Sequence, residues 1–231
     1  MKKIIALLIC MIITLLYPKM GYEIASTFSQ QFGITWNYIH HLVQFALALL
    51  TILIFLRIRK DKSISDFGFN LKNRKWSLKT VLNFTIGWIL ITTIFNLIFT
   101  FKNHVSFETN GLNIFTSLFF DFIITPISEE TLFRGLIFSL LLMFFPGKLR
   151  IGKFSVSYSV LLSTLFFSLA HIGIDYQNLT IIYIDFIQLV FTIGLGIFYA
   201  IMREKSQSLL GPMIAHGVSD GVIKTVQLII P

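Results

Sequence analysis

Residues 114–145 read IFTSLFFDFIITPISEETLFRGLIFSLLLMFF, a long apolar run that contains the charged segment PISEETLFRG at positions 126–135. A helix over this range would be about 48 Å long at 1.5 Å per residue, whereas the hydrocarbon core of a bilayer is about 30 Å thick. The run therefore predicts a transmembrane helix that either kinks near Pro126 or begins as a helix lying along the membrane interface.

The rest of the chain has the same apolar character. Of its 231 residues, 55% are hydrophobic and 13% are charged, which is about half the charged share of a soluble domain. Runs of roughly 20 apolar residues, the length that crosses a bilayer, predict an all-α, polytopic transmembrane helical bundle of about seven spans, with residues 1–231 as a single membrane domain. The predicted spans are 4–22, 36–56, 80–101, 114–145, 154–173, 180–202 and 207–230.

The first of these spans has an alternative interpretation. Lys2 and Lys3, followed by the apolar run 4–17, are also typical of a signal peptide. No small-x-small cleavage site precedes Pro18, and a retained span is therefore favoured.

The positive charges orient the predicted bundle. Of the 19 Lys and Arg residues, seventeen lie at the N-terminus, in the loops or close to the end of a span. Of these seventeen, only Lys19 and Lys102 fall outside the alternate set of loops that begins at the N-terminus. By the positive-inside rule, this pattern predicts a multi-pass protein of the cell membrane with a cytoplasmic N-terminus and an extracytoplasmic C-terminus. The net charge of +8 thus indicates topology and contact with membrane lipids, not nucleic-acid binding.

The single cysteine, Cys10, excludes an internal disulfide and a Cys-based zinc site.

Glu129, Glu130 and Arg134 lie inside the fourth predicted span. At a helix centre, three such charges raise the free energy of membrane insertion by roughly 7–10 kcal/mol, and the apolar residues of the span lower it by about 6–12 kcal/mol. Insertion is close to balanced, so this helix should face a protein interior or a wet cavity. Glu130 and Arg134 share one helix face, which predicts a structural ion pair and leaves Glu129 for chemistry. The alternative is a salt bridge that only fixes helix packing.

Two further polar pairs have the same i, i+4 spacing. Phe167 and His171 close the fifth predicted span, and His216 and Asp220 lie within the seventh. Taken alone, His171 is more often an interfacial or packed residue, and the second pair is as often a polar packing contact. Together with the glutamates they supply a general base, an imidazole and electrophilic donors. Two neutral imidazoles and a carboxylate are also a zinc ligand set.

These motifs, in this order and each on its own hydrophobic helix, resemble those of the CPBP family, the CAAX-protease and bacteriocin-processing intramembrane proteins that are also called Abi proteins. The family patterns are E-E-x-x-x-R, F-x-x-x-H and H-x-x-x-N/D. Here they read Glu129-Glu130-Thr-Leu-Phe-Arg134, Phe167-Ser-Leu-Ala-His171 and His216-Gly-Val-Ser-Asp220. The resemblance covers about 113–225, which would be the catalytic core.

The resemblance implies an intramembrane endopeptidase, a peptide hydrolase that cleaves a peptide or lipid-anchored substrate. By analogy, Glu129 and His171 would activate a water molecule, and Glu130 and Arg134 would hold the site together. His216 and Asp220 would stabilise the oxyanion or orient a partner. An ionised Asp cannot donate hydrogen bonds, so Asp220 would have to be protonated or act through His216.

The resemblance leaves the metal and the substrate open. A metal-free, glutamate-activated water is favoured, and a zinc ion held by Glu129, His171 and His216 is the alternative. The implied bacterial roles are peptide-pheromone or bacteriocin processing, or self-immunity. The alternative function is a non-catalytic membrane scaffold or bacteriocin-immunity protein that binds a membrane partner. A third alternative function is a proton-coupled transporter, but the sequence has no inverted repeat that would support it.

His40 and His41, at the mouth of the second span, are interpreted as interfacial anchors.

Overall fold

The computed structural model describes residues 1–32, 36–99, 111–175 and 180–229. Within these ranges the chain forms seven helices and two short hairpins. The helices are α1 (Lys2–Phe32), α2 (Trp36–Ile58), α3 (Arg74–Phe99), α4 (111–144), α5 (Tyr158–Leu169), α6 (Phe186–Ser206) and α7 (Leu210–Ile229). The prediction of an all-α membrane bundle is confirmed. The predicted loop charge Lys102 lies outside the described residues.

Four of these helices, α1, α2, α3 and α6, are long and apolar enough to cross a membrane by length and composition. Their outer faces carry large exposed apolar side chains such as Leu50, Leu82 and Ile187. Contiguous exposed apolar surface of this kind is unusual on a soluble protein, and it fits contact with lipid tails. The other long helices, α4 and α7, carry the charged residues that lower their hydropathy.

Two hairpins place two of their four strands in stretches that the sequence predicted as helical. Strand β1 (Lys148–Ile151) pairs antiparallel with β2 (Phe154–Ser157), and β3 (Gly173–Asp175) pairs antiparallel with β4 (Thr180–Tyr183). Strands β2 and β4 lie within the predicted spans 154–173 and 180–202, whereas β1 lies in a predicted loop. As a result α5 has 12 residues, about 18 Å at 1.5 Å each, and α6 begins at Phe186. The predicted ranges 154–173 and 180–202 were wrong at these boundaries, because a short apolar strand has the composition of a helix segment.

Helix α4 runs continuously through Pro126 and widens on either side of it. Its α-helical parts, Gly111–Phe119, Thr125–Glu130 and Phe138–Phe144, are separated by π-helical turns at Phe120–Ile124 and Thr131–Ile137. Proline has no backbone N–H and clashes with the carbonyl four residues earlier, so a wider turn before it removes the conflict. The irregularity expected near Pro126 therefore takes the form of two π-helical turns, which in proteins often mark functional sites.

The main core of the described structure surrounds the second π-helical turn. Leu132, Phe133, Leu136 and Ile137 are at most 2% exposed, and they pack with apolar side chains from α1, α2 and α5. Burying four such side chains stabilises the bundle wherever water or the polar interface is the alternative. The segment that carries the charged motif is thus held rigidly from several sides.

The connection between α2 and α3 is anchored by a buried arginine that the sequence assigned to a loop. Arg203 is 4% exposed and donates to the carbonyl oxygens of Asp66 at 2.9 Å and Arg134 at 3.3 Å. The 3-10 turn Ile64–Phe67 ends at Gly68, whose φ of +90° suits glycine. A Cβ there would lie 2.7 Å from Arg203 Nε. Arg203 is therefore a structural clamp between this turn, α4 and α6, and not a surface charge.

Candidate active site

The centre of the site is a fully buried ion pair on α4. Arg134 Nη1 lies 3.0 Å from Glu130 Oε1, and both side chains are completely buried. Arg134 also donates through Nη2 to the carbonyl oxygen of Gly196 on α6, at 3.0 Å, and its guanidinium lies 4.2 Å from the ring centroid of Phe167 on α5. One arginine thus connects three helices, because its planar fork can serve several acceptors at once.

His216 joins α7 to this pair. Its Nδ1 lies 2.8 Å from Glu130 Oε1, and its Nε2 lies 3.2 Å from Asp220 Oδ2, one helical turn further along α7. Glu129 Oε2 is 3.8 Å from the same Nε2. A ring protonated on both nitrogens would donate to Glu130 and Asp220 together. The imidazole is therefore fixed in place by carboxylates at both ends.

Glycine lets α7 come this close to α4. A Cβ added at Gly217 would overlap the backbone carbonyl oxygen of Phe122 in the first π-helical turn, and one at Gly221 would overlap the Phe122 ring. Small residues at such positions allow helix backbones to approach within a membrane. This close contact presents His216 to Glu130.

The degree of burial distinguishes the two neighbouring glutamates. The side chains become progressively more exposed from Glu130 (0%) through His216 (6%) and Glu129 (15%) to Asp220 (33%). The site therefore opens on the side of Glu129 and Asp220. Glu130 is committed to Arg134 and His216, whereas Glu129 faces the more open part of the site.

His171 lies in the turn that follows α5. Its Nδ1 is 2.8 Å from the carbonyl oxygen of Phe167, and a carbonyl only accepts, so Nδ1 carries the proton. In the neutral ring the lone pair is then on Nε2. His171 and His216 both interact electrostatically with Glu129. The structure thus brings all six predicted residues into one region, from α4, α5 and α7.

Several residues of the site were not predicted from the sequence. Tyr199 of α6 stacks on the His216 ring, with centroids 5.0 Å apart and planes 14° apart, and its hydroxyl lies 2.6 Å from Ser219 Oγ. Trp88 of α3 donates to the Ser219 carbonyl at 3.0 Å. None of these side chains is charged or belongs to a spaced motif. The one available signal is that Tyr and Trp side chains carry a polar group, which usually finds a hydrogen-bond partner when the ring is buried.

His41 was interpreted as an interfacial anchor, yet it lies near the site. It interacts electrostatically with both His171 and His216. Its backbone carbonyl accepts a hydrogen bond from Ser128 Oγ at 2.8 Å, and Gln44 donates to the same hydroxyl at 3.2 Å. This buried contact fastens α2 to the residue directly before Glu129.

The alternative zinc ligands do not form a metal site in the described structure. Within the described ranges, no group of three or more His, Cys, Asp or Glu side chains is arranged to hold an ion. Both nitrogens of His216 face carboxylates of Glu130 and Asp220, so this ring offers no lone pair directed away from them. The described side chains therefore do not fit a zinc ion, and the favoured metal-free mechanism and its zinc alternative both stay predictions.

The comparison with protein families agrees with this geometry. Residues 111–222, which contain α4, α5, α6 and nearly two thirds of α7, match the family described as Rce1-like, type II CAAX prenyl endopeptidase Rce1-like. This match confirms the resemblance to the CAAX proteases of the CPBP family. Members are type II CAAX intramembrane proteases, and the protein is accordingly an intramembrane peptide hydrolase. Neither curated proteins nor solved structures gave a match.

Proposed function

We propose that the protein hydrolyses peptide bonds at membrane depth with a water molecule that Glu129 activates. The observation that supports this assignment is the division between the two adjacent glutamates. Glu130 is fully buried and bound to Arg134 and His216, whereas Glu129 lies at the open side of the site, 15% exposed. A general base must reach its water, and of the two glutamates Glu129 is the one at the open side of the site.

His171 is proposed to share the activation of this water. Its Nδ1–H is held by the Phe167 carbonyl, so its Nε2 can accept a hydrogen bond from the water or from the substrate. Glu129 takes the proton as the water oxygen attacks the carbonyl carbon. The proton then passes to the leaving nitrogen as the carbon–nitrogen bond breaks.

His216 is proposed to stabilise the oxyanion that forms after the attack. Glu130 and Asp220 hold its ring at both nitrogens, and Tyr199 covers one face. Positive charge that is fixed before the reaction stabilises developing negative charge without reorganisation. In this arrangement Asp220 acts through His216, the second of the two roles that the sequence left open.

The substrate is proposed to be a peptide or a lipid-anchored protein that reaches the site from the membrane. In a bacterial cell, processing of a peptide pheromone or bacteriocin precursor, or self-immunity against such a peptide, would fit this activity. A Glu/His water-activating site does not require a prenyl group, so a prenylated substrate is one alternative among these.

The proposed location is the cell membrane, with the N-terminus in the cytoplasm and the C-terminus outside. Contacts between the positively charged segments support the proposal that these segments lie on the same side of the membrane. Asn70 donates to the Gln207 carbonyl at 2.9 Å, and the Leu209 N–H donates to the Gly68 carbonyl at 2.9 Å. At the N-terminus, the Lys3 ammonium lies 5.6 Å from the Phe145 ring, three residues before Lys148.

A comparison of peptide masses tests the proposed activity. Membranes and medium of cells that express the wild-type protein, Glu129→Ala or His171→Ala should be compared, with Asp61→Asn, an exposed carboxylate outside the motifs, as the control. Both site variants should insert normally, lose the cleaved peptides and accumulate the uncut precursor. Wild-type peptide patterns in both variants would refute the peptidase proposal and favour the scaffold alternative.

A further inference from the structure

Helix α2 brings a third histidine, His41, to the site. Its backbone carbonyl accepts a hydrogen bond from the hydroxyl of Ser128, the residue directly before Glu129. Its ring packs edge-on against Phe120 in the first π-helical turn of α4, with ring centroids 5.1 Å apart. The ring also interacts electrostatically with both histidines of the family motifs. His41 therefore borders the site, although none of the three motifs includes it.

The two ring nitrogens of His41 have different surroundings. Nδ1 is completely enclosed and has no hydrogen-bond partner in the described part of the chain. Nε2 has no partner among the described residues either, but it is not one of the enclosed atoms, and the residue as a whole is half-buried. A group that approaches the ring from outside the protein can therefore reach Nε2 and not Nδ1.

This difference places the proton of the ring on Nε2. A charged ring carries an N–H at both nitrogens, and burying one of them without an acceptor is unfavourable, so the neutral ring is favoured. Of the two neutral forms, the one protonated at Nδ1 would also bury an N–H without an acceptor, which is rare in folded proteins. His41 thus presents a donor at Nε2. His171 has the opposite polarity, because the Phe167 carbonyl holds its proton on Nδ1.

Packing alone does not account for a histidine at position 41. An enclosed polar atom without a partner destabilises a fold, whereas an apolar side chain of similar shape would not. The contact with the Phe120 ring is one that a second aromatic or another apolar side chain could make equally well. The imidazole is therefore better explained by the donor that it presents at Nε2.

We propose that His41 binds the substrate, and that its Nε2–H donates a hydrogen bond to a main-chain carbonyl oxygen of the peptide beside the bond that is cleaved. A neutral donor suits a carbonyl that stays uncharged, whereas His216, fixed between two carboxylates, suits the developing oxyanion. Holding the main chain next to the reacting carbon aligns that carbon for attack by the water at Glu129 and His171. This inference rests on the proposed peptidase function.

Matched substitutions of His41 test the donor. The substrate is a synthetic peptide that spans a site cut in wild-type cells and left uncut in Glu129→Ala cells, and kcat/KM is measured with purified protein in detergent. His41→Met fills the space without a donor and should lower kcat/KM about threefold to tenfold. His41→Gln, whose amide nitrogen can replace Nε2 as donor, should stay within about twofold of the wild-type protein.

His40 provides the control for the loss of an imidazole. Its Nδ1 is enclosed in the same way, but its ring stacks on Trp36, with centroids 4.9 Å apart, and a Cβ added at Gly21 of α1 would lie 3.0 Å from this nitrogen. His40→Met should therefore leave kcat/KM within about twofold of the wild-type value.

A second arm identifies the carbonyl that accepts the hydrogen bond. Single carbonyl oxygens of the peptide, other than that of the cleaved bond, are replaced by sulfur, which is a weaker acceptor. At one position beside the cleaved bond, this change should lower kcat/KM in the wild-type protein and have little further effect in His41→Met, because the two changes remove the same interaction.

Equal kcat/KM in His41→Met and the wild-type protein would overturn the role of His41, and so would equal losses from sulfur substitution in the two proteins. A lowered unfolding midpoint in His41→Met would also overturn it, because the ring would then serve the fold. In these cases cleavage by the wild-type protein would still uphold the peptidase proposal. A failure of the purified wild-type protein to cut the peptide would refute the peptidase proposal, and this inference with it.

Discussion

Replacing Arg134 with methionine should destabilise the protein strongly, because the change leaves the Glu130 carboxylate buried without its cation. The pair is 3.0 Å apart and neither side chain is exposed. Breaking a buried pair by removing one partner costs about 3–5 kcal/mol. The carbonyl of Gly196 also loses its donor, which adds about 1–3 kcal/mol. A loss of at least about 4 kcal/mol is therefore expected from these two effects.

The double variant Glu130→Gln/Arg134→Met separates the charge effect from packing. It leaves no unpaired charge, so it should be less destabilised than the sum of the single variants, with a coupling energy of at least about 2 kcal/mol. Unfolding in mixed detergent and SDS micelles can be followed through the fluorescence of the three tryptophans. Arg59→Met, which removes an exposed arginine paired with Asp61, is the matched control and should show no measurable change.

The ion-pair reasoning would be refuted if Arg134→Met unfolded like the wild-type protein, or if the two single effects were additive in the double variant. Additivity would mean that Glu130 and Arg134 contribute independently, and that the short contact between them is not what holds α4 in place.

The remaining predictions concern the surroundings of the same site. Gly217→Ala should push α7 away from Phe122 and lower activity more than Gly194→Ala, where a Cβ meets no atom within 4 Å; equal activities would contradict the close helix contact. Tyr199→Phe should cost about 1–2 kcal/mol in unfolding experiments, because Ser219 loses a buried partner at 2.6 Å. Chelators should leave cleavage by the purified protein unchanged; stoichiometric zinc with activity lost on chelation would overturn the metal-free mechanism.

The bundle itself could be predicted from the sequence because its physical signal is spread over the whole chain. Low charge, long apolar runs and alternating loop charges all indicate the same architecture. The hairpins could not be predicted in this way, since segments such as Thr180–Tyr183 are as apolar as the helix that follows them. Arg203 was misassigned for a similar reason: a charge at a predicted helix end gives no sign that it is buried.

The polar motifs predicted residues that the structure brings together, although each motif alone is a weak signal. The helices that bring Glu129 and His171 together have two irregular features, the π-helical turns of α4 and the short α5. Neither feature has a sequence signature of its own. Tyr199 and His41 remained unrecognised because their roles depend on which helices are neighbours, and that is settled by tertiary packing.

The assignment of different roles to two adjacent glutamates is the central claim, and one paired measurement tests it. Turnover of a cleaved peptide and the unfolding midpoint should be measured for purified Glu129→Gln and Glu130→Gln. Glu129→Gln should lower turnover by about 10²–10⁴ with an unfolding midpoint like that of the wild-type protein, whereas Glu130→Gln should lower the midpoint clearly. Wild-type turnover in Glu129→Gln, or a stability loss confined to that variant, would contradict the claim.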